Sequence, residues 1–367
     1  MARSGTSRGG RRGCGAGILL LLLGMAALAA WAWWTLWTPY KGYAEAERLV
    51  TIAPGSGTGR ILQTLQRDGV LADARLARIY LLSQGLLSQG QPRIQAGQYR
   101  FRGPLTTPQV LRMLVKGQIV ARALTIIEGL TMEEIADQLA RDGYGRREVF
   151  LDLMRSPRLI ADLDPDAPDL EGYLFPETYS FAFGAPEREI VETLVKTFRR
   201  RFERDIRPRL AQGPPGRSVR QVVTLASIVE KEAKAAEERP LIAAVYRNRL
   251  DRHIGLAADP TVIFALKRLG RWNGNLRRED LRMDSPYNTY RYAGLPPGPI
   301  CSPGLASLVA AAAPADVPYL YFVSRNDGTH VFAQTLAEHN RNVEIWQKKY
   351  WRDRWAAERR ERGAGGR

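Results

Sequence analysis

Cysteine and histidine are scarce in this chain, with two of the first and three of the second among 367 residues. Cys14 and Cys301 are too few for a disulfide scaffold or a thiolate metal cluster, and an apolar run begins directly after Cys14. If that run crosses a membrane, the two thiols lie on opposite sides of it and cannot pair. His330 and His339 lack the spacing of a zinc site and read as structural or surface residues. No metal and no other cofactor is therefore expected. Gly-x-Ser-x-Gly, phosphate-loop and dinucleotide fingerprints are also missing, which removes the sequence support for hydrolase triads, NTPases and dehydrogenases.

Acidic residues are missing from Met1 to Arg12, a stretch that carries Arg3, Arg8, Arg11 and Arg12. At the other end, eight Lys or Arg follow Gln347 against only Asp353, Glu358 and Glu361. The two ends supply roughly half of the formal net charge of +16. Basic tails of this kind solubilise or touch anionic surfaces. With no helix-turn-helix, zinc-finger or RNP-like pattern beside them, no nucleic-acid partner is expected.

What the chain does have is a long apolar run. From Gly13 to Tyr40 there is no charge, and Ile18 to Met25 is almost entirely aliphatic. A span of the hydrocarbon layer needs about 20 such residues. Trp31, Trp33, Trp34 and Trp37 crowd the far end, where indole rings favour the membrane interface. The arginines precede the run, so the positive-inside rule puts the N-terminus in the cytoplasm and the rest outside. Ala27-Leu28-Ala29 would serve as a signal-peptidase site, but the run outlasts the usual apolar core of about 7–15 residues. The reading is an uncleaved single-pass anchor, with residues 1–16 cytoplasmic and 17–38 spanning.

An internal repeat follows. Thr51-Ile52, Gly55, Ile61, Leu65 and Arg67-Asp68-Gly69 recur about 74 residues later as Thr125-Ile126, Gly129, Ile135, Leu139 and Arg141-Asp142-Gly143. Each copy predicts a short strand, a glycine turn and an amphipathic helix stopped by Asp-Gly. In the second copy Thr131 and Glu134 form a capping-box pattern. Between the copies lie a helix (76–82), a strand (98–101) and another helix (107–115). Short units of this sort make a compact α+β module, equally suited to binding or to acting as a spacer.

Further on, a long helix is expected over roughly 187–204, broken before the next by Gly213-Pro214-Pro215-Gly216. That next helix places Glu230 directly after an apolar run, where a carboxylate is costly unless paired. Ala226, Ser227, Ala233 and Lys234 stack against it. Three of these are small, which predicts room above the carboxylate, while Glu232 points to nearly the opposite side. On spacing alone, Glu230 is more readily the point where a buried helix emerges into water than a catalytic acid. Asp259-Pro260 predicts an N-cap with proline at the first helical position. The loop Ser285 to Tyr290, running into Gly294 to Pro299, either shows its Tyr and Asn side chains to a sugar or is a rigid connector. Asn326-Asp327-Gly328 between two apolar runs predicts a hairpin.

Taken in order, Glu171 to Tyr179, Ala226 to Glu232, Asp259 to Val262, Tyr287 to Tyr290 and Gly294 to Gly298 resemble the YceG-like endolytic murein transglycosylase (MltG) family. Tyr319 to Val323 and His339-Asn340 extend the match to most of the chain, although the basic tail beyond Lys348 has no counterpart in it. The resemblance implies an α+β fold: an N-terminal transmembrane helix, a LysM-like subdomain (45–122), a YceG-like catalytic domain (123–346) and then the tail (347–367). It implies cleavage of the β-1,4 bond between N-acetylmuramic acid and N-acetylglucosamine in nascent peptidoglycan, with a 1,6-anhydro end and termination of strand elongation. It places the catalytic carboxylate on Glu230 and sets the enzyme at the bacterial inner membrane, beside glycan polymerases and penicillin-binding proteins. Glu177, Tyr287, Asn288 and Tyr290 are the candidates for positioning the glycan. A non-catalytic, anchored cell-wall-binding or scaffold protein is the alternative.

Overall fold

The structure, a computed structural model, describes residues 12–53, 55–84, 94–212, 216–352 and 354–355. Most of the basic N-terminus, Gly213-Pro214-Pro215 and tail residues 353 and 356–367 lie outside the described residues. The chain is a mixture of helices and two-stranded sheets, an α+β fold with one apolar helix at its N-terminus. It divides into two units, Met1–Arg122 with Ser180–Ala185, and Ala123–Tyr179 with Pro186–Arg367.

In the first unit, helix α1 (Arg12–Trp37) contains the segment Ile18–Trp37, which is long and apolar enough to cross a membrane and is not buried against the protein. At its end Trp37 meets Tyr80 edge-on at 6.3 Å. Strand β1 (Glu47–Ile52) is followed by α2 (Thr58–Arg67), α3 (Ala74–Ser83), β2 (Gly97–Arg102) and α4 (Thr107–Val115), and the chain passes into the second unit within β3 (Ala121–Thr125). β1 and β2 pair antiparallel, with Val50 opposite Tyr99 and Ile52 opposite Gly97. Alternation along the strands turns Val50, Ile52, Tyr99 and Phe101 into a core shared with Ile61, Leu65, Leu81, Val110 and Leu114. Full burial of each such side chain contributes about 1.5–3 kcal/mol.

The repeat has a physical basis in glycine. Gly55 and Gly129 sit at φ 74° and 79°, and Gly69 and Gly143 both at 73°, a region closed to side chains with a Cβ at little cost. The amide of Val70 donates to the carbonyl of Leu65 and that of Gly69 to Gln66, and Tyr144 and Gly143 do the same to Leu139 and Ala140. Both helices thus end in the same left-handed glycine cap.

The second unit holds α5 (Met132–Arg141), α6 (Arg147–Met154) and part of β4 (Thr178–Ala182). Thr131 and Glu134 form the expected capping box on α5. Helix α7 (Glu187–Arg201) does not stop near residue 204. It runs through a π-helical turn (Phe202–Ile206) into α8 (Arg207–Gln212), because Phe198 and Phe202 continue its apolar face into the core. Helix α9 (Val219–Glu232) is capped by Ser218 and Gln221 and buries every residue from Val222 to Val229. It is followed by α10 (Arg239–Asp251), α11 (Asp259–Arg268) and the alanine-rich α12 (Leu305–Ala312). Small side chains on α12 let it pack closely on α9. Arg217 then closes the C-terminus of α12 by donating to the carbonyls of Ala311 (3.1 Å) and Ala312 (2.7 Å). The hairpin is present as β5 (Tyr321–Ser324) and β6 (His330–Ala333), with Asn326 at φ 67°, and α13 (Leu336–Val343) leads into a π-helical segment, Glu344–Lys349.

One cap expectation is corrected. Ala258 occupies the N-cap of α11 and Asp259 is its first residue, so Pro260 falls one position later than the spacing predicted. Asp259 is drawn away from capping because its carboxylate accepts a hydrogen bond from the Tyr290 hydroxyl at 2.6 Å.

Candidate active site

Helix α9 brings Glu230 to its last turn, one residue past its fully buried run. Two groups hold the carboxylate. The amide of Gly304 donates to Oε2 at 2.9 Å, and the Arg239 guanidinium lies 3.4 Å from Oε1. The Glu230 side chain is 7% exposed and that of Arg239 13%, so the carboxylate has partners on two sides and a narrow solvent edge. Arg239 is itself fixed by a hydrogen bond to the Ser307 hydroxyl at the start of α12.

The expected room above Glu230 is not vacant. Ser227 is small where the backbone of the loop before α12 lies directly on it. The amide of Ile300 donates to the Ser227 hydroxyl at 3.0 Å, and the Cys301 thiol donates to the Ser227 carbonyl at 3.3 Å. Burial pushes the Cys301 thiol well up, leaving it an inert packing group. The small Ser227 thus serves to bring the Gly304 amide to the carboxylate.

A second carboxyl, Glu128, was not among the residues singled out by the sequence. It sits in the turn of the second repeat copy, next to Gly129, whose carbonyl accepts from Lys231 at 3.2 Å and whose amide donates to Ser302 at 2.9 Å. The carboxyl of Glu128 lies against Gly304, and a methyl group there would overlap it. Glu128 and Glu230 therefore share one glycine. Desolvation pushes the Glu128 carboxyl up, the negative charge of Glu230 pushes it further, and Arg239 pulls it back. Two carboxyls beside one guanidinium can hold and pass a proton. The available signal was an acid at a left-handed glycine turn where the first copy has Pro54.

The other singled-out residues are dispersed. Glu177 is 33% exposed and is tied to Arg201 at 2.7 Å, with no partner in common with Glu230 among the described residues. Asn288 is fully buried, contrary to the picture of a loop displaying it. Its amide nitrogen donates to the carbonyls of Leu281 and Met283, and its oxygen accepts from the amide of Tyr290. Burial follows because this loop's own carbonyls need a donor, and Asn288 supplies two. Tyr287 is half-buried against Phe264 at 5.0 Å, and Tyr290 is exposed on Asp259. Thr289, between them, is buried and hydrogen-bonds to the amide of Ala258 and the hydroxyl of Thr261, pinning the loop to α11.

Two further acids are internal. Glu171 accepts from the amide of Met132 at 3.0 Å at the start of α5, and burial pushes it well above the ordinary carboxylate range. Burial, aided by the charge of Asp259, pushes Glu232 up to about 7, although the Tyr246 hydroxyl donates to it at 3.0 Å. His330 is bound to Glu238 at 2.7 Å and His339 stacks on Tyr321, so both histidines are structural. Among the described residues no group of three or more His, Cys, Asp or Glu is placed to hold a metal ion.

The geometry defines a class of site: a pair of carboxyls, one held by an arginine and a backbone amide, on a rigid helical support. The profile of the YceG-like family matches residues 50–345. A Bacillus subtilis protein named endolytic murein transglycosylase is 31% identical over 312 residues, covering 80% of this chain and 83% of the relative. A Streptococcus pneumoniae protein of the same name is 29% identical over 82% of this chain, which spans only 59% of that relative's length. A crystal structure of a YceG-like protein from Listeria monocytogenes is 31% identical with a TM-score of 0.54, covering 81% of this chain and 99% of that one. The chain belongs to the YceG-like family.

Proposed function

We propose that this chain is an endolytic murein transglycosylase that cuts the β-1,4 bond between N-acetylmuramic acid and N-acetylglucosamine, with Glu230 as its acid and base. The observation that carries this reading is the Glu230–Gly304–Glu128 arrangement within a family whose named relatives are murein transglycosylases. Glu230 donates a proton to the glycosidic oxygen as the bond to the anomeric carbon breaks. The C6 hydroxyl of the same muramic residue then attacks that carbon and gives its proton back to Glu230, closing the 1,6-anhydro ring without consuming water. An internal nucleophile is already in place, so no second carboxylate is needed to activate water. Glu128 serves as the neighbour that keeps a proton within the pair, and Arg239 stabilises the charged state of Glu230 between the two steps.

Tyr287 and Tyr290 are assigned to glycan positioning, with Asn288 acting from beneath by fixing the loop that carries them. Glu177, held by Arg201, is assigned to the same positioning task. The first unit, over residues 45–122, is assigned as a LysM-like glycan-binding subdomain and residues 123–346 as the catalytic domain. Helix α1 is assigned as a single-pass anchor in the inner membrane with the N-terminus inside, which places the cut beside glycan polymerases and makes nascent strands the substrate.

The test is to incubate the protein with sacculi and weigh the released fragments. Anhydro ends are expected. Reducing ends carrying oxygen from labelled water would reject the internal-nucleophile route, and fragments from Glu230→Gln at the unaltered rate would reject the site.

A further inference from the structure

The family-matched region ends at residue 345, and the residues that follow it, Trp346 and Gln347, pack on the hairpin within the second unit. The hairpin clamps them. The amide of the Asn326 side chain donates to the Trp346 carbonyl at 2.6 Å, the Gln347 side chain donates to the Ser324 carbonyl at 2.9 Å, and Arg325 lies over the Trp346 ring. The π-helical turn Glu344–Lys349 shifts the face that the following residues present. The result brings Trp351 and Arg354 to a pocket of about 250 Å³ whose other walls include Glu232, Lys234, Asn326 and His330.

This pocket is linked to the carboxyl pair by short covalent steps. Glu232 follows Glu230 by two residues, about 3 Å along the helix axis. On the other side His330 binds Glu238 through its ring and its amide, and the next residue, Arg239, binds Glu230. Glu232 points to nearly the opposite side of α9 from Glu230, but the helix ends at Glu232, so a polymer strand that leaves Glu230 around that end would meet this pocket.

The lining suits a sugar ring. The Arg354 guanidinium lies over the Trp351 ring at 5.5 Å, so the opposite indole face is the platform for the C–H face of a saturated ring, and the amide oxygen of Asn326 and the Lys234 ammonium suit hydroxyl and acetamido groups at its edge. The volume is below that of drug-sized sites, which fits one ring and not several.

We propose that this pocket is an accessory glycan subsite, holding one amino-sugar ring of the strand being cut, with Trp351 as its platform. The proposal rests on the murein reading above. It gives the C-terminal extension a role in substrate grip that the family-matched region does not supply.

The experiment uses the full chain in detergent and end-labelled glycan strands from sacculi, either stripped of stem peptides or carrying them. Binding is measured in the Glu230→Gln background, and KM and kcat in the otherwise unaltered protein. Trp351→Ala is expected to weaken binding of stripped strands about tenfold and to raise KM similarly, with kcat within about twofold. Trp351→Phe should recover most of the loss, and Lys234→Gln, at an exposed position, should cost about threefold. Unchanged affinity of Trp351→Ala for stripped strands overturns the subsite. So does a loss confined to peptide-bearing strands, which would make the pocket a stem-peptide site. If the unaltered chain cuts neither strand, the murein reading itself fails, and that outcome is separable because it does not involve Trp351.

Discussion

Gly304 is the residue on which the candidate site turns. Its amide holds Glu230, and its missing side chain admits the carboxyl of Glu128. Gly304→Ala forces those groups apart, so turnover should drop at least tenfold, while overpacking costs about 1–3 kcal/mol in stability. Steady-state assays and thermal melts separate the two effects. Glu230→Gln should lower turnover at least a hundredfold without altering the melt. Glu128→Gln removes a carboxyl that desolvation and the charge of Glu230 raise above its ordinary range, so an inflection that Glu128 contributes to the activity profile should disappear. A pH profile that is unchanged in this variant would show that Glu128 does not titrate with the reaction.

Glu232 carries a stability prediction. Its folded pKa, about 7, lies above the ordinary value of 4.5, so the folded state binds its proton more tightly than the unfolded chain. The stabilisation is fully present below about pH 4.5 and is lost as pH rises through 7, a swing of about 3 kcal/mol. Denaturant unfolding of Glu232→Gln should show a shallower loss of stability between pH 5 and 8 than the unaltered protein. Glu230 stood out in the sequence as a carboxylate ending an apolar run, but spacing alone favoured a helix emerging into water, and the family resemblance is what made it the catalytic candidate. Glu128 did not stand out, since its importance comes from a glycine 176 positions away whose approach only the folded chain creates.

At the scale of elements, helices α9 and α12 form the support for the site. Ala310, Ala311 and Ala312 of α12 are nearly without exposure, and the Arg217 guanidinium closes its last turn. Arg217→Met should cost about 1–2 kcal/mol, read as a lower urea midpoint with an unchanged slope. The elements themselves were largely legible. Periodicity located α4, α9 and the repeat helices, and Asn-Asp-Gly located the hairpin. What spacing could not supply was the inward turn of Asn288 or the displacement of the α11 cap. The first depends on carbonyls of Asn288's own loop that come to it only when the loop folds back, and the second on Tyr290, outside α11. The small residues of α9 were legible as a gap, but not as a gap that a backbone loop would fill.

At the scale of the whole molecule, the chain has two α+β units and one helix fit to cross a bilayer. Removal of residues 1–40 should move the protein from the membrane pellet to the supernatant and leave cleavage of isolated sacculi within about twofold. Its cutting of strands still attached to the membrane should fall further, because tethering raises effective concentration. The repeat gives this architecture an economy. Both copies bend at a left-handed glycine between strand and helix, and both end the helix in the same way. In one copy the residue before that glycine is Pro54, and in the other it is Glu128. The corner that carries a proline in one copy thus carries in the other the carboxyl that reaches Gly304, so a single side chain at a shared backbone bend separates a plain turn from one wall of the candidate site.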